Sequence, residues 1–66
     1  MSERDKNIAA LRAKLVGAIT ADDNAEMLKV CQEIYDAGLE FEDMKLTPSM
    51  AAFAMNIIVA SEWIPA

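Results

Sequence analysis

The sequence predicts an all-α fold: a small three-helix bundle with helices at about 3–19, 23–37 and 48–62 and an ordered acidic loop at 38–47. Apolar residues recur at helical spacing in each segment, and capping residues precede each one. Sixty-six residues are expected to form a single helical domain, 1–66. A domain of this size buries only about 60% of its unfolded surface, so good packing or association with a partner is expected to support it.

The first helix is expected to begin after Ser2, which has the spacing of a capping box with Asp5. Apolar residues then fall within about 100° on a helical wheel, which indicates one buried face. The residues on this face are Ile8, Leu11, Leu15, Ala18 and Ile19. Gly17 is expected to weaken the last turn by about 1 kcal/mol relative to alanine.

The second helix is expected to begin at about residue 23, after a short turn at 20–24, where both Thr20 with Asp23 and Asp23 with Glu26 have the spacing of a helix cap. One broad side of it is apolar. That side carries Met27, Leu28, Val30, Cys31, Ile34 and Tyr35. Gly38 provides the residue that most easily adopts the left-handed conformation ending a helix, and Leu39 can fold back onto the helix end.

The connection at 39–47 alternates acidic and apolar residues, and its apolar side chains predict an ordered loop rather than a flexible linker. Those side chains are Leu39, Phe41, Met44 and Leu46. Thr47 and Pro48 then form a strong helix start, with threonine as the cap and proline at the first helical position.

The third helix is apolar on both sides. Met50, Phe53 and Ile57, with Ala60 and Ile64, form the side expected to pack on the other helices. The opposite side carries Ala52, Met55, Val59 and Trp63 and is extended by Ala51 and Ile58. Such a helix either is buried deeply, spans a membrane or binds a partner. A span needs about 20 apolar residues, which Asn56 and Glu62 interrupt. Deep burial would require two helices and the loop at Phe41 to surround the third helix on nearly all sides, so binding is favoured over both.

The predicted protein interface therefore comprises Met55, Ile58, Val59 and Trp63 of helix three, with Trp63 as its aromatic centre. A two-fold homodimer is the favoured assembly, because it is the commonest one and would stabilise a small domain. The acidic loop, with Glu40, Glu42 and Asp43, is a second candidate surface that would suit a basic partner. A solvated face without a partner is the alternative for this loop.

Several function classes are disfavoured by composition. The sequence contains no histidine, so the usual general base and the common zinc ligand sets are excluded, and we expect no catalytic, cofactor or metal site. Asp22, Asn24 and Glu26 alternate as in a calcium loop but lack its glycine and distal glutamate. We therefore expect a protein that is not an enzyme.

The net charge and the single cysteine indicate which class of partner and which cellular location to expect. The net charge is −5, with +2 in residues 1–19 and −7 in residues 20–66, which disfavours nucleic acid as a partner. Cys31 is the single cysteine, and the charged N-terminal segment does not resemble a secretion signal. Both observations favour a reducing, cytoplasmic location.

Together these observations predict a small non-enzymatic protein-binding module that inhibits, adapts or regulates another protein and associates with itself through helix three. The alternative is a structural or assembly subunit of a larger oligomer. A nucleic-acid-binding regulator is less favoured. The identity of the partner does not follow from charge or periodicity.

Overall fold

The structure, a computed structural model, describes residues 2–66. It contains α1 (Glu3–Thr20), α2 (Asn24–Asp36) and α3 (Pro48–Ala60), with a short 3₁₀ helix at Phe41–Met44 between α2 and α3. The predicted all-α three-helix bundle is confirmed. The helices match the expected segments to within about two residues at each end, which is the usual uncertainty of helix boundaries.

Each α-helix begins with a side-chain cap at the residue that the sequence indicates. A side-chain oxygen accepts a hydrogen bond from the backbone amide three residues later, which satisfies one of the amides left without a partner at a helix start. The pairs are Ser2 with Asp5 at 3.1 Å, Asp23 with Glu26 at 3.1 Å and Thr47 with Met50 at 3.3 Å.

The end of α2 is closed by a Schellman motif. Gly38 lies in the left-handed region with φ of 72°. Its N–H donates to the Tyr35 carbonyl at 3.0 Å, and the Leu39 N–H donates to the Ile34 carbonyl at 3.1 Å. The chain therefore turns back immediately, and Leu39 packs into the core.

The buried core is supplied mainly by α1, α2 and the loop. Its members are Leu11, Leu15, Ala18, Met27, Val30, Cys31, Ile34, Leu39, Met44 and Ala54. The contacts between α1 and α2 are the most extensive in the bundle, whereas α3 packs less extensively against each of them. The most apolar helix is therefore the one that contributes least to the core.

The inward side of α3 differs from the predicted one. Ala54 is fully buried, and Ile57 and Ile58 pack against the core on either side of it. Ile64, which was expected on the inward side, is 80% exposed. The one buried position of α3 therefore holds a small residue, whereas the larger Phe53 is only half-buried.

Deep burial of α3 is contradicted by the structure. Met55 is 49% exposed and Val59 is 71% exposed. Two helices and one loop cover only part of the circumference of α3.

Within residues 2–66, no helix combines the length and apolar character that crossing a membrane would require.

Candidate functional site

An apolar cleft of about 170 Å³ lies between α2, the loop and the segment that follows α3. Its walls come from three parts of the chain. The lining residues are Cys31, Ile34 and Tyr35 of α2, Leu39 and Phe41 of the loop, and Met55, Ile58, Trp63 and Pro65 of α3 and the segment after it. Almost every group that faces the cleft is carbon or sulfur, so it suits an apolar side chain.

The segment after α3 is also placed by a Schellman motif. Glu62 adopts the left-handed conformation with φ of 53°. Its N–H donates to the Val59 carbonyl at 3.1 Å, and the Trp63 N–H donates to the Ile58 carbonyl at 3.2 Å. Trp63 and Ile58 occupy the two positions whose side chains usually touch in this motif, and both line the cleft.

A hydrogen bond between Ala66 and Gln32 of α2 also holds this segment in place. The Ala66 backbone N–H donates to the Gln32 side-chain oxygen at 2.8 Å. Pro65, which lies between this contact and Trp63, becomes part of the cleft wall. The cleft therefore exists because the chain folds back across α2 after the helix ends.

The four predicted interface residues of helix three lie on two adjoining surfaces. Ile58 and Trp63 are half-buried, pack against the core and line the cleft. Val59 lies outside the cleft on a surface that we call the outer face of α3, formed by Ala52, Met55 and Val59, all exposed. Met55 belongs to both surfaces because it also lines the cleft.

Sequence reasoning missed the contribution of the other elements to this cleft. Tyr35 was assigned to the apolar side of helix two, yet it is 56% exposed and lines the cleft. Pro65, which also lines the cleft, is not among the predicted interface residues. The signal that could have revealed the cleft is the apolar Trp63-Ile64-Pro65 sequence, which follows polar residues and contains more apolar surface than a solvated end requires.

The acidic loop residues have two different environments. Glu40 and Glu42 are exposed. The Asp43 carboxylate accepts hydrogen bonds from the Glu40 backbone N–H at 2.8 Å and from Arg4 Nη2 at 3.1 Å. The backbone hydrogen bond, followed by the charge of Arg4, holds the pKa of Asp43 below its usual value of 3.8. Asp43 thus joins the loop to α1, which leaves Glu40 and Glu42 as the outward carboxylates of this segment.

The lowered pKa of Asp43 predicts how stability depends on pH. The unfolded chain binds a proton at Asp43 more readily than the folded chain, so this stabilisation is present above about pH 4 and is lost as the pH falls through the lowered pKa. Replacing Asp43 with asparagine should lower the unfolding free energy at pH 7 and weaken its decline in acid. Urea unfolding between pH 2 and 7, compared with Glu42→Gln, would measure this. Identical acid dependence in the wild type and Asp43→Asn would contradict the assignment.

Basic side chains on α1 do not form a uniformly positive surface. Arg4 pairs with Asp43, and Lys14 Nζ lies 3.1 Å from the Glu33 carboxylate. The groove between α1 and the loop contains Arg12 and Lys45 but also acidic residues. This mixture of charges gives little support to binding of a phosphate backbone.

Cys31 is a free cysteine that lies at the base of the cleft and is buried. Burial disfavours the charged thiolate and raises the pKa of the Cys31 thiol. The side chain therefore acts as a small apolar group and is a poor nucleophile at neutral pH. Among residues 2–66, acidic and cysteine side chains form no group of three or more that could hold a metal ion.

Comparison of the chain with protein-family models, curated proteins and solved structures gave no match.

Proposed function

We propose that this chain is a small non-enzymatic protein-binding module that acts as an inhibitor, adaptor or regulator of another protein. One observation carries the proposal. The most apolar helix of the protein leaves Met55 and Val59 exposed beside an apolar cleft. Contiguous apolar surface of this kind on a small protein is typical of a binding interface.

A second copy of the chain is the proposed occupant of the outer face of α3. Each chain carries a net charge of −5, so most of its surface repels a copy. No charged residue occurs between Pro48 and Ser61, however, so two copies of α3 can approach without like charges in contact. A two-fold arrangement would place Met55 and Val59 against the same residues of the other copy.

The available area indicates that such a dimer is weak. A standard protein interface buries about 800 Å² on each partner, which is roughly a fifth of the 4384 Å² exposed by this chain. Helix α3 has 13 residues and is therefore only about 20 Å long. Its outer face supplies part of the area of a standard interface, so association should depend on concentration.

The absence of histidine supports a non-enzymatic role, and the free cysteine supports a cytoplasmic location. The sequence contains no histidine, the most frequent acid–base catalyst, which favours a binding role over catalysis. A cytoplasmic location is also proposed, because the single cysteine is free and buried rather than engaged in a disulfide.

The test is the effect of Val59→Asp on molar mass. Light scattering of the wild type over about a hundredfold range of concentration should show the mass rising from one chain toward two. The variant should remain a monomer, because a dimer would bury the new carboxylate. Its melting temperature should change little at low concentration, since Val59 is mostly exposed in the single chain.

Ala13→Asp provides a matched control, because Ala13 is an exposed apolar residue near the middle of α1. It introduces the same charge away from α3, and its loss of helix propensity is the larger of the two because alanine favours a helix more than valine does. Wild-type protein that remains one chain at every concentration would refute self-association through α3. A mass that keeps growing beyond two chains would favour the alternative function, an assembly subunit of a larger oligomer.

A further inference from the structure

Exposed acidic residues adjoin the cleft lining along the chain. Asp36 follows the lining residue Tyr35 but lines a different groove together with Lys14. The other three are each adjacent in the chain to a residue that lines the cleft, and we call them the acidic rim: Glu40 and Glu42 on either side of Phe41, and Glu62 beside Trp63. None of the six lysine and arginine residues of the sequence adjoins a lining residue in this way.

The volume of the cleft limits what it can hold. An engineered protein cavity of about 150 Å³ accepts one benzene molecule, and this cleft has a volume of about 170 Å³. It therefore has room for a single large apolar side chain, such as phenylalanine or leucine. Tyr35, Phe41 and Trp63 would surround that side chain with aromatic rings, which contribute strongly to protein interfaces.

We propose that the cleft binds one large apolar side chain of a lysine- or arginine-rich segment of another protein. The apolar side chain enters between Phe41 and Trp63, and the flanking positive charges face the acidic rim. Complementary charge accelerates association and selects the partner, while burial of the apolar side chain supplies most of the affinity. This inference rests on the proposed protein-binding function and specifies the chemistry of the partner.

A second copy of the chain does not fit this description. Its most basic segment is α1, where Arg4 and Lys14 are held in ion pairs. The large apolar residues Leu11 and Leu15 of α1 are buried in its own core. The copy would also bring a second acidic rim toward the first, and like charges would then oppose binding.

The fluorescence of Trp63 tests the proposal directly, because it is the only tryptophan in the sequence and lines the cleft. The probe is a tryptophan-free helical peptide of about 15 residues, made of lysine and alanine with one central phenylalanine. One control peptide has alanine in place of the phenylalanine, and another has glutamate in place of every lysine. We expect the probe to change the Trp63 emission saturably, with affinity at least about tenfold higher than either control and decreasing with added salt.

Substitutions in the acidic rim should weaken the peptide binding that is measured by Trp63 emission. Glu42→Gln and Glu62→Gln each remove one negative charge beside the cleft and should weaken binding of the lysine peptide. Glu26→Gln is the matched control, since Glu26 is exposed and lies about 13 Å along α2 from Tyr35. The affinity of the Glu26→Gln variant for the lysine peptide should equal that of the wild type.

Four results would overturn the inference. These are failure of the lysine peptide to bind, equal binding of the phenylalanine and alanine peptides, insensitivity to the rim substitutions, and Trp63 emission of the Val59→Asp variant that changes with protein concentration alone. The last result would place a second copy in the cleft.

Failure of the proposed function is distinguishable, because light scattering of the same samples reports dimer formation through Val59 independently of peptide binding. A dimer without peptide binding would refute the inference alone, whereas absence of both would refute both.

Discussion

Replacing Met44 with alanine is expected to lower the free energy of unfolding by about 2–5 kcal/mol. Met44 is fully buried at the end of the 3₁₀ helix and belongs to the core shared with α1 and α2. Its loss would leave a cavity beneath the loop. A domain of this size is stabilised by roughly 3–10 kcal/mol in total, so a large fraction of the variant should be unfolded at 37 °C. Urea unfolding followed by circular dichroism would measure the change.

Met55→Ala is the matched control for this prediction. It deletes the same atoms from a side chain that is 49% exposed. We expect it to cost less than about 1 kcal/mol, because water already contacts much of the side chain. Equal destabilisation by the two substitutions would contradict the burial of Met44 and the exposure of Met55.

Ala54→Leu is the second substitution that we expect to lower the free energy of unfolding strongly. Ala54 is fully buried and is the only buried residue of α3. A larger side chain there would force α3 outward or distort neighbouring rotamers, at a cost of about 1–3 kcal/mol. The cleft wall that α3 supplies should move as well, so the emission of Trp63 should change together with the unfolding midpoint.

Ala52→Leu serves as the control for the α3 substitution. Ala52 lies two residues earlier in the same helix, on the exposed outer face. The same enlargement there should change stability by no more than about 0.5 kcal/mol. Destabilisation by Ala52→Leu equal to that caused by Ala54→Leu would mean that α3 is rotated relative to the orientation described.

The helices were predictable because their starts and stops are local. Ser2, Asp23 and Thr47 cap helices through bonds to amides three residues away, and Gly38 ends α2 with a conformation that glycine adopts most easily. These interactions depend on a few neighbouring residues. A reading of the sequence can therefore locate them without knowledge of the tertiary structure.

The orientation of α3 and the cleft were not predictable in the same way. Both sides of α3 are apolar, so the hydrophobic pattern does not determine which side faces the core, and the structure places the small Ala54 there. The cleft requires the chain after α3 to return across α2 and bond to Gln32. That bond joins residues 34 positions apart in the sequence. Local patterns contain no information about a contact of this kind.

The left-handed conformation of Glu62 has a consequence for engineering this protein. A residue with a side chain costs about 1 kcal/mol more than glycine in this conformation. A selection for thermal stability alone would therefore favour glycine at this position and would remove a carboxylate from the acidic rim. Stability favours glycine at this position, whereas the proposed recognition of a basic partner favours the glutamate carboxylate. Variants should therefore be selected for both properties together.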